Sequence, residues 1–388
     1  MWSKTNRNKR INEHCYAQII VNSTIKKSSQ IFLSLQATRG IAALMVVLFH
    51  ISGIIGAEKY FDFPEIFIPY AFAGSGVNMF FVLSGFVIYS THQHDFGRPE
   101  KFLAFLKKRI IRIYPIYWII FFGVASIALI YPGYRHQVPS EIIVWIKSIF
   151  LLPQNQSVVG GTGAPVIEVA WTLQVEIVFY AIVGLFILGS RFAIIFLGLL
   201  FTAFLFKESF ESDYVRFLLA FIFQPHMVFL FGVGVVTGWI SNVITVDAKL
   251  GKCFVWLAGI IFCVAWLDLF SISWINGEKI YIEGTAFAIF IFGAISLERA
   301  GHVIWRGGLY QKLGKSSYAL YLVHYPLVVF LSKLMSKLGL PEFGIAGLIF
   351  ALGVALIGSV LAGWGIHSYI EAPLTQFLRG WVPARQKN

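Results

Sequence analysis

The sequence predicts an all-α, polytopic membrane protein of about ten transmembrane helices, with both termini in the cytosol. Three observations carry this. Of 388 residues, 57% are hydrophobic and 13% charged, with a mean hydropathy of +0.74; a soluble chain carries about a quarter charged residues. Apolar runs of about 20 residues, enough to cross a bilayer, recur between residues 37 and 366. Lys and Arg divide 22 to 8 between the two sides that these runs define, and the richer side is cytosolic. The net charge of +12 therefore reads as membrane orientation and not as nucleic-acid binding.

Residues 1–32 are polar and basic, hold no apolar core of signal-peptide type, and read as a cytosolic tail. The membrane domain spans 33–375, and 376–388 is a basic cytosolic tail. Spans are expected near 37–56, 71–91, 113–131, 169–188, 192–206, 215–239, 253–270, 283–299, 317–335 and 344–366, the fifth being short. The apolar stretch 142–152 is too short to cross and is expected to lie in the interface or re-enter. The longest outer loop, about 132–168, is placed to face an acceptor. Cys15, Cys253 and Cys263 fit no metal motif and no disulfide framework.

The first span carries Arg39 and His50. Ionisable groups at membrane depth are costly, so each is a functional-site hypothesis. Eleven residues at about 100° each return to nearly the same helix face, roughly 16 Å further along. Glu176, seven residues into the fourth span, lies roughly 10 Å from the outer surface, and His50 roughly 9 Å. Equal depth lets them meet, with the carboxylate orienting the imidazole for acid–base work; the alternative is a structural pair. Arg109 and Arg112 share a helix face at i, i+3 and suit phosphate binding, although spacing alone favours simple anchoring. Tyr114 follows them. In GSGVNMFFVLSGFVIYS, small residues and Ser84 permit close approach of a helix or a substrate. His324, about ten residues past Lys315, falls by depth in the cytosolic half, away from His50. There it lines a cosubstrate path or bonds a neighbouring helix. His92 and His94 lack the repeated boxes of a di-iron enzyme, and His226 and His367 read as structural. The glycines of 232–238 read as helix packing, since no strand–loop–helix pattern of a nucleotide site surrounds them.

Together, TRGIAALMVVLFH (38–50), GSGVNMFFVLSGFVI (74–88), RIIRIYPIYW (109–118), VAWTLQVEIVFY (169–180) and LGKSSYALYLVHYPL (313–327) resemble, in order, the acyltransferase-3 family of bacterial integral membrane acyltransferases, nearest its exopolysaccharide-acetylating branch. The resemblance implies a ten-helix fold in the inner membrane, in contact with lipid. It implies transfer of an acyl group, usually acetyl from acetyl-CoA as cosubstrate, to a carbohydrate hydroxyl of an exopolysaccharide, O-antigen or lipid-linked sugar. It places the family's histidine on His50, its glutamate on Glu176, its first-helix arginine on Arg39 and its RxxR pair on Arg109 and Arg112. Tyr114, Ser84 and His324 complete the expected donor-binding set. Thr38 stands where leucine is usual, and Asn78 where aspartate is frequent, so Asn78 is not assigned an acid role. The other class considered is a transporter or flippase for a lipid-linked sugar. It predicts inverted repeats, and the sequence shows no obvious one.

Overall fold

A computed structural model describes residues 32–131, 138–271 and 278–380. Nearly all of the expected N-terminal tail, with Cys15, and residues 381–388 of the C-terminal one lie outside the described residues. The helices are α1 (Leu33–Ile55), α2 (Gly76–His92), α3 (Phe102–Ile130), α4 (Ile142–Ile149), α5 (Trp171–Leu188), α6 (Ser190–Leu205), α7 (Asp213–Ile222), α8 (Pro225–Val243), α9 (Ala248–Ser271), α10 (Lys279–Arg299), α11 (Gly308–Lys337), α12 (Gly344–Ile366) and α13 (Ala372–Gly380). A 3₁₀ segment, Pro64–Ser75, feeds α2. A π turn, His367–Glu371, joins α12 to α13 and carries the helix past residue 375, where the membrane domain was expected to end.

Among the described residues, nine helical segments are long and apolar enough to cross a membrane. α6, the expected fifth span, has 16 residues; that is about 24 Å, short of a hydrocarbon core of about 30 Å. The surface is apolar and the interior partly polar. Trp256 and Leu103 are 75% and 74% exposed, while Ser317, His324 and Ser332 are fully buried and hydrogen-bonded. Such an inversion suits lipid, where polar groups must find partners inside the protein.

α1 is the hub, packed against α2, α11, α12 and the 3₁₀ segment. Its first backbone amides, which no helix satisfies for itself, donate to Glu298 of α10: Leu33 N to Oε1 and Ser34 N to Oε2, both at 2.8 Å. α1 and α11 cross at facing glycines. A Cβ on Gly314 would lie 2.0 Å from the Gln36 carbonyl oxygen, and one on Gly40 2.6 Å from Gly314 N. α2 and α8 meet in the same way at Gly85 and Gly234, which makes the glycine run of 232–238 a packing motif. The α1–α11 crossing brings Arg39 and His50 against the polar face of α11. Gly314→Leu is therefore expected to lower the thermal midpoint in detergent and abolish activity. Gly123→Leu, with nothing near its Cβ position, should leave both unchanged.

The short α4 does not cross. Its C-terminal carbonyls are satisfied by α3: Tyr117 Oη donates to Ser148 O at 2.7 Å, Trp118 Nε1 to Ile149 O at 2.9 Å and Tyr114 Oη to Phe150 O at 2.9 Å. Unpaired carbonyls at membrane depth cost several kcal/mol each, by rough transfer estimates. This corrects the placement of Tyr114 at the donor site. Its hydroxyl is committed to capping α4, and it lines neither of the two cavities described next.

Candidate active site

Three polar constellations lie along the α1–α11 seam. The first is a histidine pair. His324 Nε2 lies 3.1 Å from His50 Nδ1. His324 Nδ1 lies 3.1 Å from the Leu320 carbonyl oxygen, and His50 Nδ1 lies 3.0 Å from the Val46 carbonyl oxygen. Carbonyl oxygens only accept, so both Nδ1 atoms carry the hydrogen and the neutral His324 presents a lone pair at Nε2. His50 Nδ1–H thus donates to Val46 O and His324 Nε2 together. The only uncommitted lone pair of the pair is on His50 Nε2. Phe49 and Tyr325 pack edge-on against the His50 ring at 5.3 and 5.1 Å between centroids.

This corrects the expected depth of His324. α11 begins at Gly308 and runs 30 residues, so His324 stands sixteen residues from its start, about 24 Å along the axis. Counting depth from Lys315 placed it too shallow.

The second constellation is a cavity lined by Arg39, Ser84, Arg109, Arg112, Thr172, Glu176, Tyr180, Ser317, Tyr318 and Tyr321, among others. Tyr180 donates to Glu176 Oε1 one turn away on α5, and this carboxylate shares the cavity with Arg39, Arg109 and Arg112 and acts electrostatically on Arg39 and Arg112. Glu176 is thus in the site but does not orient His50. Equal depth brings two residues together only on neighbouring helices facing each other, and the neighbour that His50 faces is α11. Arg109 is anchored. Its Nη2 donates to His92 Nε2 at 2.8 Å, and His92 Nδ1–H donates to Asp95 Oδ2 at 2.9 Å. The guanidinium packs on Phe105 and Tyr180 at 5.3 and 5.1 Å from their centroids, and its buried Nε has no partner among the described residues. The spacing His92-x-x-Asp95 was legible as a helix-end pair, but its partner Arg109 is seventeen residues away. At the far end of the cavity, Tyr321 Oη and Thr172 Oγ1 lie 2.8 Å apart, and the Tyr321 ring touches His324 at 5.8 Å between centroids. Tyr321 is therefore the wall between this cavity and the histidine pair.

The third is a polar cavity that shares Arg39, Arg112 and Tyr318 with the second and adds Gln36, Lys315, Glu371, Thr375 and Arg379. Tyr318 Oη donates to the Ile113 carbonyl oxygen at 2.8 Å, which fixes it between the two cavities. A cationic mouth thus opens into a mixed polar and apolar chamber, and Tyr321 separates the end of that chamber from the histidine pair. The chamber can hold an anionic head on a long arm and bring the far end of that arm up to Tyr321, against which His324 packs.

An acyltransferase-domain family profile matches residues 32–364 of the chain. The exopolysaccharide production protein ExoZ of Rhizobium meliloti (strain 1021) is 24% identical over 315 residues, covering 79% of this chain and 90% of ExoZ. No solved structure matches. With the profile spanning most of the chain and its membrane-crossing helices, the protein belongs to the acyltransferase-3 family and is a multi-pass membrane acyltransferase.

Proposed function

We propose that the protein moves an acyl group, acetyl in the first place, from acyl-CoA to a hydroxyl of an exopolysaccharide, O-antigen or lipid-linked sugar at the bacterial inner membrane. One observation carries the reading. Arg39 and Arg112, which make no hydrogen bond or ion pair among the described residues, stand at one end of a continuous chamber, and the free lone pair of His50 stands beyond its other end. The name of the relative ExoZ supports an exopolysaccharide acceptor. The excess of Lys and Arg supports placing the Arg39 end in the cytosol, the side that supplies acyl-CoA. The donor is polyanionic and crosses lipid poorly. Its head therefore stays at the cationic mouth, and its arm runs inward to Tyr321, the wall that has to open for the thioester to reach His50.

His50 Nε2 takes the proton of the acceptor hydroxyl as the oxygen bonds to the thioester carbonyl carbon. The carbon–sulfur bond then breaks, and the departing thiolate takes the proton back from Nε2. The resulting imidazolium keeps its Nδ1–H on the lone pair of His324. Glu176, held by Tyr180, offsets part of the charge of Arg39 and Arg112 and holds them in place.

The test supplies acetyl-CoA labelled in the acetyl group, with candidate glycans, to the protein in nanodiscs. Ester-linked label on the glycan is expected. Arg112→Ala should raise KM for acetyl-CoA about tenfold or more while kcat changes less, because its contact with the donor head is equal in ground and transition states. If no acyl-CoA and glycan pair gives transfer while vesicles holding the protein move a lipid-linked sugar across the bilayer, the enzyme reading is sunk in favour of transport.

A further inference from the structure

We infer that the last helix, beyond the region matched by the family profile, completes the donor site: Thr375 and Arg379 of α13, with Lys315 and Gln36, hold the phosphate-bearing nucleotide end of acyl-CoA. The inference rests on the acyl-CoA reading above. The profile ends at residue 364, and the π turn His367–Glu371 follows directly. A π turn adds one residue to the helix, which rotates everything downstream by about 100°. After that rotation Glu371, Thr375 and Arg379, spaced four residues apart, lie on one face and all line the polar cavity. Phe377, 61% exposed, does not line it. α13 also packs on α3, the helix that carries Arg109 and Arg112.

Charge identifies the occupant. Arg39, Arg112, Lys315 and Arg379 face the cavity against one carboxylate, Glu371. That carboxylate also accepts a hydrogen bond from His367 Nδ1–H at its Oε2, 2.8 Å away, while acting on Arg39 and Arg112. None of the four cations has a hydrogen bond or ion pair among the described residues, and Arg39 and Arg112 are close enough to repel each other. The cavity keeps a net positive charge even after Glu371 and, from the adjoining chamber, Glu176 are counted, which suits a counter-anion of high charge density, such as a phosphate or diphosphate held by paired guanidinium donors. Tyr318 joins this cavity to the long chamber, so the anion is one end of an extended molecule. The nucleotide end of a coenzyme A thioester has that form. An anionic lipid headgroup shares the phosphate chemistry and is separated from it by experiment.

The full chain, in phosphatidylcholine nanodiscs, is titrated with coenzyme A, adenosine 3′,5′-bisphosphate and pantetheine, which lacks the phosphates. The wild type is compared with Arg379→Gln, Arg379→Glu and Thr375→Val. Affinity for coenzyme A and the bisphosphate is expected to fall severalfold in Arg379→Gln and Thr375→Val, and about tenfold or more in Arg379→Glu. Pantetheine binding and acyl transfer from acetyl-pantetheine should stay at the wild-type level, which also shows that the variants are folded. Unchanged coenzyme A affinity in Arg379→Glu would overturn the inference. So would an effect of Arg379 confined to nanodiscs containing phosphatidylglycerol, which would make a lipid headgroup the occupant. Arg379-dependent binding of the bisphosphate without transfer from any acyl-CoA would retain the phosphate site and remove the acyl-donor reading instead.

Discussion

Replacing His50 by alanine is expected to lower acyl transfer by about 10²–10⁴-fold, the usual contribution of a positioned general base. Donor binding should stay within about twofold. The two effects separate because the cationic mouth lies roughly 16 Å along the helix from His50, and its residues share no hydrogen bond with the imidazole. The measurement pairs single-turnover transfer of labelled acetyl with equilibrium binding of coenzyme A. His50→Ala removes the only free lone pair of the histidine pair, and no nearby group replaces it. His324 Nε2 already points into the space that the His50 ring vacates, but its ring is held by Leu320 O and fully buried, so it cannot move out to meet an acceptor. A His50→Ala protein that keeps more than about a tenth of the wild-type rate would remove His50 as the base. Loss of coenzyme A binding in the same variant would mean that the helix itself has shifted.

Much of this site can be read from single helices. The periodicity that puts Arg39 and His50 on one face, the i, i+3 pair Arg109 and Arg112, and the small residues of α2 and α8 are all local patterns, and each has a counterpart in the structure. Contacts between helices could not be read in the same way. Glu176 and His50 sit at similar depths on opposite-running spans, which suggested a pair. Their rotation about the helix axes and the neighbours of α1 are tertiary facts, and they give His50 to α11 and set Glu176 in the chamber with Arg39 and Arg112; only its bond from Tyr180, four residues on along α5, is local. His324 was misplaced for a simpler reason. A charged residue was taken as the helix start, although Lys312 and Lys315 lie inside an α11 that begins at Gly308. Long cationic side chains can extend to water from within a helix end. Tyr114, close behind Arg109 and Arg112, reads from the sequence as part of the donor site, but with Tyr117 and Trp118 it has another task. The three serve the carbonyls of α4, a need that appears only once a short helix is folded back against α3.

His324 should behave as a positioning residue with a split signature. In the neutral pair it accepts from His50 Nδ1–H, and when His50 holds the acceptor proton the same bond becomes charge-assisted and stronger. A bond that strengthens as the reaction proceeds lowers kcat when removed and leaves ground-state binding alone. His324→Ala is therefore expected to reduce kcat about 10–100-fold with KM for acetyl-CoA nearly unchanged. The loss should be smaller than that of His50→Ala because Val46 O, at 3.0 Å, still holds the hydrogen on His50 Nδ1 and so keeps the tautomer. What disappears is the acceptor that fixes the ring against rotation and receives the imidazolium. His324→Gln should restore most of the rate, since its amide oxygen can accept the same hydrogen. His324→Leu, similar in volume but without an acceptor, should match alanine. Steady-state kinetics on the three variants, with thermal midpoints to exclude unfolding, decides the matter. Equal losses in the glutamine and leucine variants would show that the ring fills space between α1 and α11 and does not hold His50 through its lone pair.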